Sequence, residues 1–399
     1  MKVLFVNSVC GFGSTGKIVE RLAREVVSTG GEALVCYGRK DYSGNVNAVK
    51  ITTKTENYIN GLSARLFDNE GLGGKAPTKR LIKIIEEFKP DIIHLHNLHG
   101  YYLNIKTLFT YLAKTDIKIV WTLHDCWAFT GHCAHFDYVK CEKYKTGCEK
   151  CPNKKEYPSS KLLDNSKRNY RVKKELVQSI KKENMVYVVP SKWLKGKIDN
   201  SFLKDFESRV LYNGIDLTNF SLDKAKTNEQ SKTVLAVASV WTEKKGYKDV
   251  VELAKRVSGE YKVVMVGVSD KQVEELKDTD VVAIKRTSSQ KELATLYQNA
   301  MVFINPTYED NFPTTNIEAL ATGTPIITYN TGGSVEVIDN NGYIVKQGNV
   351  ADLINKIRLV EKQNFDRKAI SDKARQFSDG NMANNYMDLY ENYVRGKGN

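Results

Sequence analysis

Asn305-Pro306-Thr307-Tyr308-Glu309-Asp310-Asn311-Phe312-Pro313-Thr314-Thr315-Asn316-Ile317-Glu318-Ala319-Leu320-Ala321-Thr322-Gly323-Thr324-Pro325 is the stretch on which the fold turns. A strand, Val302–Asn305, ends at its start and an acidic loop follows. A helix is expected over Thr314–Ala321, with Glu318 one turn inside, and Pro325–Thr328 resumes as a strand. Short apolar strands alternating with helices argue for a parallel sheet covered on both faces. In such sheets ligands bind beyond the carboxyl ends of the strands, so Glu309, Asp310 and Glu318 are expected to converge there. Ionised carboxylates only accept hydrogen bonds, whereas each sugar hydroxyl must donate one. Acids at that lip therefore suit a hydroxyl-rich ligand.

Working outward, the same alternation fills the chain. Strands are expected at Lys2–Asn7, Glu32–Tyr37, Asp91–His94, Lys118–Leu123 and Met185–Val189, with helices over Gly16–Ser28 and Tyr101–Lys114. Ile18, Leu22, Val26 and Val27 fall at helical spacing in the first helix. A turn-rich stretch, Asn213-Gly214-Ile215-Asp216, opens a second series. Its strands are Thr233–Val237, Tyr261–Val266, Val281–Ile284, Val302–Asn305 and Pro325–Thr328. Helices intervene at Tyr247–Val257, Gln290–Asn299 and Thr314–Ala321. The fold class is α/β, with two doubly wound, Rossmann-like parallel-sheet domains over 1–212 and 213–376. A C-terminal segment, 377–399, carries a helix near Met382–Val394 and is expected to pack back on the first domain.

The 399 residues are 41% hydrophobic and 27% charged, an ordinary globular composition. No apolar run approaches the ~20 residues needed to span a bilayer, and the N-terminus reads as a buried strand, so a soluble cytoplasmic protein is expected. Charge is uneven: residues 1–183 hold 31 Lys and Arg against 19 Asp and Glu, the remainder 29 against 28. A basic half fits nucleic acid, an anionic membrane surface or an anionic substrate. Equally, the run Lys167, Arg168, Arg171, Lys173 and Lys174 reads as a solvated helix face.

All six histidines lie between His94 and His135, and five of the seven cysteines between Cys126 and Cys151. Cys133, Cys141 and Cys148-x-x-Cys151 resemble a structural zinc knuckle bracing an insertion at about 126–152. Reduced thiols or disulfides are the alternatives. Four thiolates would close the tetrahedron, leaving no open position for catalysis.

Gly11-Phe12-Gly13-Ser14-Thr15-Gly16-Lys17 joins the first strand to the first helix, where backbone amides and a helix terminus suit an anion. It fails as a Walker loop, because Ile18 stands where a Mg²⁺-binding Ser or Thr is required. As a dinucleotide fingerprint it lacks the ribose-binding acid about 20 residues on. A phosphate- or sugar-facing loop and a ligand-free tight turn remain. Asp278-Thr279-Asp280 is a D-x-D triplet of the kind common by chance.

At Asp310-(seven residues)-Glu318-Ala319 and Gly323-Thr324-Pro325 the chain resembles the family-4 glycosyltransferases, retaining enzymes of the GT-B fold. Asp310 stands in place of the usual first Glu, and Glu309 precedes it. The resemblance extends through Thr331-Gly332-Gly333-Ser334-x-Glu336, Tyr212-Asn213-Gly214-Ile215-Asp216, Val189-Pro190-Ser191 and the Gly-rich loop. Trp121-Thr122-Leu123-His124-Asp125-Cys126-Trp127, with its cysteines, looks like a subgroup found among capsule, exopolysaccharide and colanic-acid transferases. One departure stands out: Val240 occupies the position of an Arg that the family pairs with the Lys of Lys245-Gly246.

The resemblance implies two domains facing across a cleft and a nucleotide-sugar donor, UDP- or GDP-linked, held by the C-terminal domain. Glu318 would take the ribose hydroxyls, and Glu309 and Asp310 those of the transferred sugar. Lys245, with amides near Gly332 and Gly333, would face the diphosphate, with Lys244 substituting for the missing Arg. Gly13 and Gly16 would let backbone approach the substrate. His124 would contact the donor sugar near the reacting carbon, and His96 is the acceptor-side candidate; a core histidine bonded to backbone is the plain alternative for His124. Cations and helix termini can stabilise a leaving diphosphate, so no cofactor is expected in catalysis and zinc only as structure.

A lipid-linked glycan acceptor at the inner face of an anionic membrane would account for the basic first half without a membrane span. Rival readings are an inactive GT-B scaffold, given Val240, and an NAD(P)-dependent oxidoreductase, which makes no use of Glu318. A nucleic-acid partner is disfavoured, for no binding motif with interleaved aromatics accompanies the charge.

Overall fold

The protein is described by a computed structural model over residues 1–222 and 231–396. Two compact units emerge. The first is Met1–Tyr212 together with the chain from Met382 onward, and the second is Asn213–Asn381.

In the first unit the strands are β1 (Lys2–Asn7), β2 (Glu32–Tyr37), β3 (Ala48–Lys50), β4 (Ile92–Leu95), β5 (Lys118–Thr122), β6 (Met185–Val189) and β7 (Glu207–Val210). They form a seven-stranded sheet in the order β3-β2-β1-β4-β5-β6-β7, with every pairing parallel. Parallel neighbours need crossovers. These are α1 (Gly13–Ser28), α2 (Lys54–Phe67), α3 (Lys75–Phe88), α4 (Ile105–Leu112), α5 (Ser166–Gln178) and α6 (Lys192–Asp199). Alternation of side chains along the strands supplies two apolar faces. Val3, Phe5, Ile92, Val120 and Val186 share the core of one face with Ile18, Val19, Leu22 and Val26 of α1. Leu4, Val6, Ile93, Leu95 and Trp121 build the opposite core with Leu108, Phe109 and Leu112 of α4.

The second unit repeats the plan. Its strands are β8 (Thr233–Val237), β9 (Lys262–Val266), β10 (Val281–Ile284), β11 (Val302–Asn305), β12 (Ile326–Tyr329) and β13 (Gly342–Val345). They run parallel in the order β10-β9-β8-β11-β12-β13. Its helices are α7 (Tyr247–Arg256), α8 (Asp270–Glu275), α9 (Gln290–Asn299), α10 (Thr314–Ala321), α11 (Val350–Lys362) and α12 (Arg367–Lys373). The last helix, α13 (Asp379–Val394), buries Met382, Ala383, Tyr386, Met387, Leu389 and Tyr390 on the first unit's sheet, over the face that carries Phe5 and Val120.

The two doubly wound sheets agree with the α/β class read from the sequence. Some boundaries moved, for local reasons. The expected Tyr101–Lys114 helix starts only at Ile105, because Tyr101 adopts φ +67° and the Asn104 side chain caps the Thr107 amide at 2.8 Å. The first helix begins at Gly13, three residues earlier than expected, so Gly16 lies inside it. The break expected at 377 falls at 382. Backbone bonds from Ile215 N to Phe377 O (3.0 Å) and Asp379 N to Ile215 O (2.9 Å) tie residues 377–379 to the second unit.

Candidate active site

At the carboxyl end of β11, Asn305 donates to Asn316 Oδ1 of α10 at 2.7 Å, and Asn316 in turn donates to Ser334 O at 2.9 Å. Buried side-chain bonds of this kind fix the loop between strand and helix. Thr331 Oγ1 donates to Thr307 O (2.7 Å), Tyr308 N to Lys244 O (2.7 Å) and Gly333 N to Asn311 O (3.0 Å). Three segments of the second unit, 241–246, 306–313 and 331–334, are thereby stitched together.

The acids of this loop meet the lysines of the first segment one to one. Lys244 Nζ lies 3.0 Å from Glu309 and Lys245 Nζ 2.6 Å from Asp310. Glu318, half-buried on α10, accepts from Tyr297 Oη at 3.0 Å. Burial drives the Tyr297 hydroxyl well above its ordinary value, so it remains a donor throughout the physiological range. Val240, where the family resemblance expects Arg, is 64% exposed.

The glycines divide by surroundings. Gly13 has φ +66° and open space where a Cβ would stand, leaving room for a ligand near the backbone. A Cβ at Gly16 would instead meet Val9 and the Gly11 amide at 3.1–3.2 Å, so its smallness serves the packing of its own loop. Gly333 spends its amide on Asn311, while Gly332, at φ +52°, is only half-buried. Beside them Ser334 Oγ is fully buried and has no partner among the described residues. The sequence reading gave it no role. Asp278 and Asp280 lie exposed at the surface, Asp280 bonded to Ser258 Oγ.

In the first unit, histidines gather at the carboxyl ends of β4 and β5. His96 Nδ1 and His124 Nε2 share a hydrogen bond of 3.0 Å, and the rings stack with centroids 5.3 Å apart. Burial, reinforced by the neighbouring imidazoles His94 and His124, pulls His96 well below 6.5. His124 is pulled down to about 4, again chiefly by burial. Both rings are therefore neutral near pH 7. His96 Nε2 is buried without a partner among the described residues. A cavity of about 10 Å³, lined in part by His96, His99, His124 and Asp125, has room for one water or hydroxyl. His94 has a different task. It is wholly buried, 2.6 Å from Tyr390 Oη and 2.8 Å from Thr122 Oγ1, and so anchors α13 to the sheet.

Sequence reasoning missed the pair His99–Asp125, with Nε2 2.8 Å from Oδ2 and Nδ1 2.9 Å from Tyr157 Oη. Burial alone would raise Asp125. Its contact with His99, aided by the Trp127 amide, outweighs that and holds the carboxyl well below the usual range. The signal was present as His124-Asp125 but fixed no partner, because His99 and Tyr157 are distant in sequence.

No disulfide joins any two of the seven cysteines, all of which lie among the described residues. Cys133 and Cys151 hydrogen-bond each other. That bond, which stabilises the Cys151 thiolate, lowers Cys151 to about 7 and raises Cys133. Cys133 is part of the first unit's core, and Cys141, Cys148 and Cys151 pack against it. Among the described residues no group of three or more His, Cys, Asp or Glu is placed to hold a metal ion. Lys173 Nζ of α5 ties down the start of the insertion by donating to Trp127 O (2.6 Å) and Thr130 O (3.0 Å), and within it Phe136 stacks on Tyr144 at 4.6 Å.

Comparison with known proteins bears on both units. The family described as Glycosyltransferase Family 4 matches residues 15–219, and Glycosyl transferases group 1 matches 219–377. The chain is 28% identical over 314 residues to the putative colanic acid biosynthesis glycosyl transferase WcaC of Escherichia coli, covering 74% of this chain and 73% of that protein. It is 27% identical over 224 residues to the N,N'-diacetylbacillosaminyl-diphospho-undecaprenol alpha-1,3-N-acetylgalactosaminyltransferase of Campylobacter jejuni, 54% of this chain and 56% of that one. Among solved structures, sucrose-phosphate synthase from Thermosynechococcus elongatus superposes with a TM-score of 0.70 at 15% identity, over 99% of this chain and all of that one. HepE of Anabaena, in complex with UDP-glucose, does so at 0.64 and 14%, over 98% and 99%. With two parallel-sheet units and matches that run from the first helix to the end of the second unit, the chain belongs to glycosyltransferase family 4 and has the GT-B fold.

Proposed function

We propose that this glycosyltransferase moves a sugar from a UDP- or GDP-linked donor to a lipid-linked glycan in the assembly of a bacterial surface polysaccharide, with retention of configuration and without a metal in the chemical step. The observation that carries the donor half is the pairing of Lys244 with Glu309 and Lys245 with Asp310 in the loop after β11, which leads into the helix that bears Glu318. A diphosphate leaves with developing negative charge, which the more open Lys245 ammonium offsets while Lys244 holds Glu309. The carboxylates retain lone pairs beyond those their lysines take, and these accept from sugar hydroxyls. Glu318, oriented by Tyr297, takes the ribose hydroxyls; Ser334 Oγ and Gly332 flank the phosphates.

The acceptor half rests on relatives. One is named for a diphospho-undecaprenol substrate and another for capsular polysaccharide biosynthesis. In the first unit the neutral His96 and His124 offer donor and acceptor nitrogens to a sugar hydroxyl without adding charge. Basic surface on that unit suits the inner face of an anionic membrane, and no helix among the described residues is long and apolar enough to cross one.

The test is Glu318→Gln, nearly isosteric, assayed for nucleotide-sugar turnover and for thermal stabilisation by UDP, GDP and CMP. Turnover should fall by about 10²-fold or more while the unliganded melting temperature holds. Undiminished turnover would sink the donor-site assignment. A wild type that neither turns over sugar nucleotides nor is stabilised by any nucleotide would make the protein an inactive scaffold.

A further inference from the structure

Helix α2 is built inside out. Its inward side is polar: Asn57 Nδ2 donates to Gly38 O (2.9 Å) and Thr52 Oγ1 (3.0 Å), and Asn60 Oδ1 accepts from Gly74 N (3.0 Å). Ala64 is its one buried residue. Its outward side is apolar, since Tyr58, Ile59 and Leu62 recur at the i, i+3 and i+4 spacing of a single face and stand 73%, 57% and 47% exposed.

A second apolar segment is fastened to the end of that helix. Backbone bonds run from Lys161 N to Arg65 O (2.6 Å) and from Leu163 N to Leu66 O (3.2 Å), and Asn165 Nδ2 donates to Phe67 O at 2.7 Å. They bring Leu162 and Leu163, 63% and 47% exposed, beside Phe67, itself 48% exposed. Exposed apolar residues are ordinary when scattered. Six large ones on two hydrogen-bonded segments form a patch of the sort that marks an interaction surface.

The surroundings of the patch are cationic. Lys54, Arg65 and Lys161 are exposed on the same two segments, and Lys154 Nζ reaches Leu162 O at 3.4 Å. Next to Asn165 opens a cavity of about 650 Å³ lined by Lys167, Arg168, Arg171 and Lys174. The acids nearby are engaged: Glu56 pairs with Arg80, Glu149 with Lys167, and Asp164 accepts from Cys151 N and Ser166 Oγ. An exposed apolar patch flanked by cations complements a bilayer, with hydrocarbon for the patch and anionic headgroups for the lysines and arginines.

We propose that the outward face of α2, with Leu162 and Leu163, inserts into the surface of an anionic phospholipid bilayer while the basic cavity beside it receives lipid phosphate. This deepens the membrane reading given above and rests on it. Full-length protein would be floated with vesicles of phosphatidylcholine alone and of phosphatidylcholine with phosphatidylglycerol. The wild type is compared with Tyr58→Ser/Ile59→Ser/Leu62→Ser and with Leu162→Ser/Leu163→Ser, all surface changes that should leave the melting temperature and nucleotide response in place.

The expectation is binding to the anionic vesicles that falls about tenfold or more in the triple variant and measurably in the double one. Salt should weaken the remainder. If the variants float as well as the wild type, the patch is overturned while membrane association stands. If the wild type binds neither vesicle, both readings fall. Should sedimentation show a wild-type dimer that the variants dissociate, with no flotation, a second copy covers this face and the proposal is wrong.

Discussion

Lys244 and Lys245 are neighbours in sequence, yet their environments separate their roles. Glu309, the partner of Lys244, has a side chain only 6% exposed, whereas the Lys245–Asp310 pair is 36% and 21% exposed. Removing one member of a buried ion pair strands the other charge, whereas a more open pair contributes little to stability. Lys244→Ala should therefore lower unfolding stability by about 1–3 kcal/mol. Lys245→Ala should cost well under about 1 kcal/mol yet weaken donor binding by about tenfold or more. Urea titration and calorimetric titration with the sugar nucleotide would separate the two. Identical behaviour of both variants in both assays would contradict the division of labour. The family pattern marked Lys245 and left Lys244 as a stand-in for the absent Arg. Burial distinguishes them, and burial is not written in a Lys-Lys dipeptide.

Among elements, the turn Glu243–Lys245 and the helix that follows it depend on Gly246. This residue sits at φ +78°, and a Cβ there would stand 2.2 Å from the carbonyl oxygen of Pro306. It therefore sets how closely the lysine-bearing turn approaches the acidic loop. Gly246→Ala should cost about 1–3 kcal/mol in backbone strain alone, with the clash added, and should impair donor affinity by moving the lysines from their acids. Differential scanning calorimetry with and without UDP-sugar checks this. An unshifted melting temperature would mean the loops can part freely. Other elements were less legible. The Thr314–Ala321 helix and most strands follow from apolar periodicity and turn residues, but α2 has its apolar stripe facing outward and gave no usable sign of where it packs. The short β3, β7 and β13 lie at the sheet edges or next to them, with partly exposed side chains, and so lack the apolar runs that betray central strands.

For the molecule as a whole, acid should be a selective threat to the first unit. His94, His96 and His124 are all held neutral by burial, the last down to about 4 from 6.5. Unfolded histidines bind protons from about 6.5 downward while the folded ones resist, so the unfolded chain carries the extra protons in that window. The contribution of these three histidines is thus complete above pH 6.5 and declines as pH falls toward 4; His132, buried but held above 6.5 by Asp68, offsets it in part. Melting curves between pH 4.5 and 7.5 should show the midpoint falling below pH 6.5, with a smaller fall in His124→Gln. A midpoint indifferent to pH across this range would mean that the cluster is charged or solvated when folded.

Order along the chain determined the two parallel-sheet halves, the acids before and within α10, and the uneven charge, because these rest on local periodicity and on motifs whose members lie within one turn or loop. Tertiary structure alone decided which lysine meets which acid, that His94 anchors a helix nearly 300 residues away while His96 lines a cavity, that His99 pairs with Asp125, and that Cys133 meets Cys151. Those outcomes depend on burial and on contacts between distant segments. Neither exists until the sheets have formed.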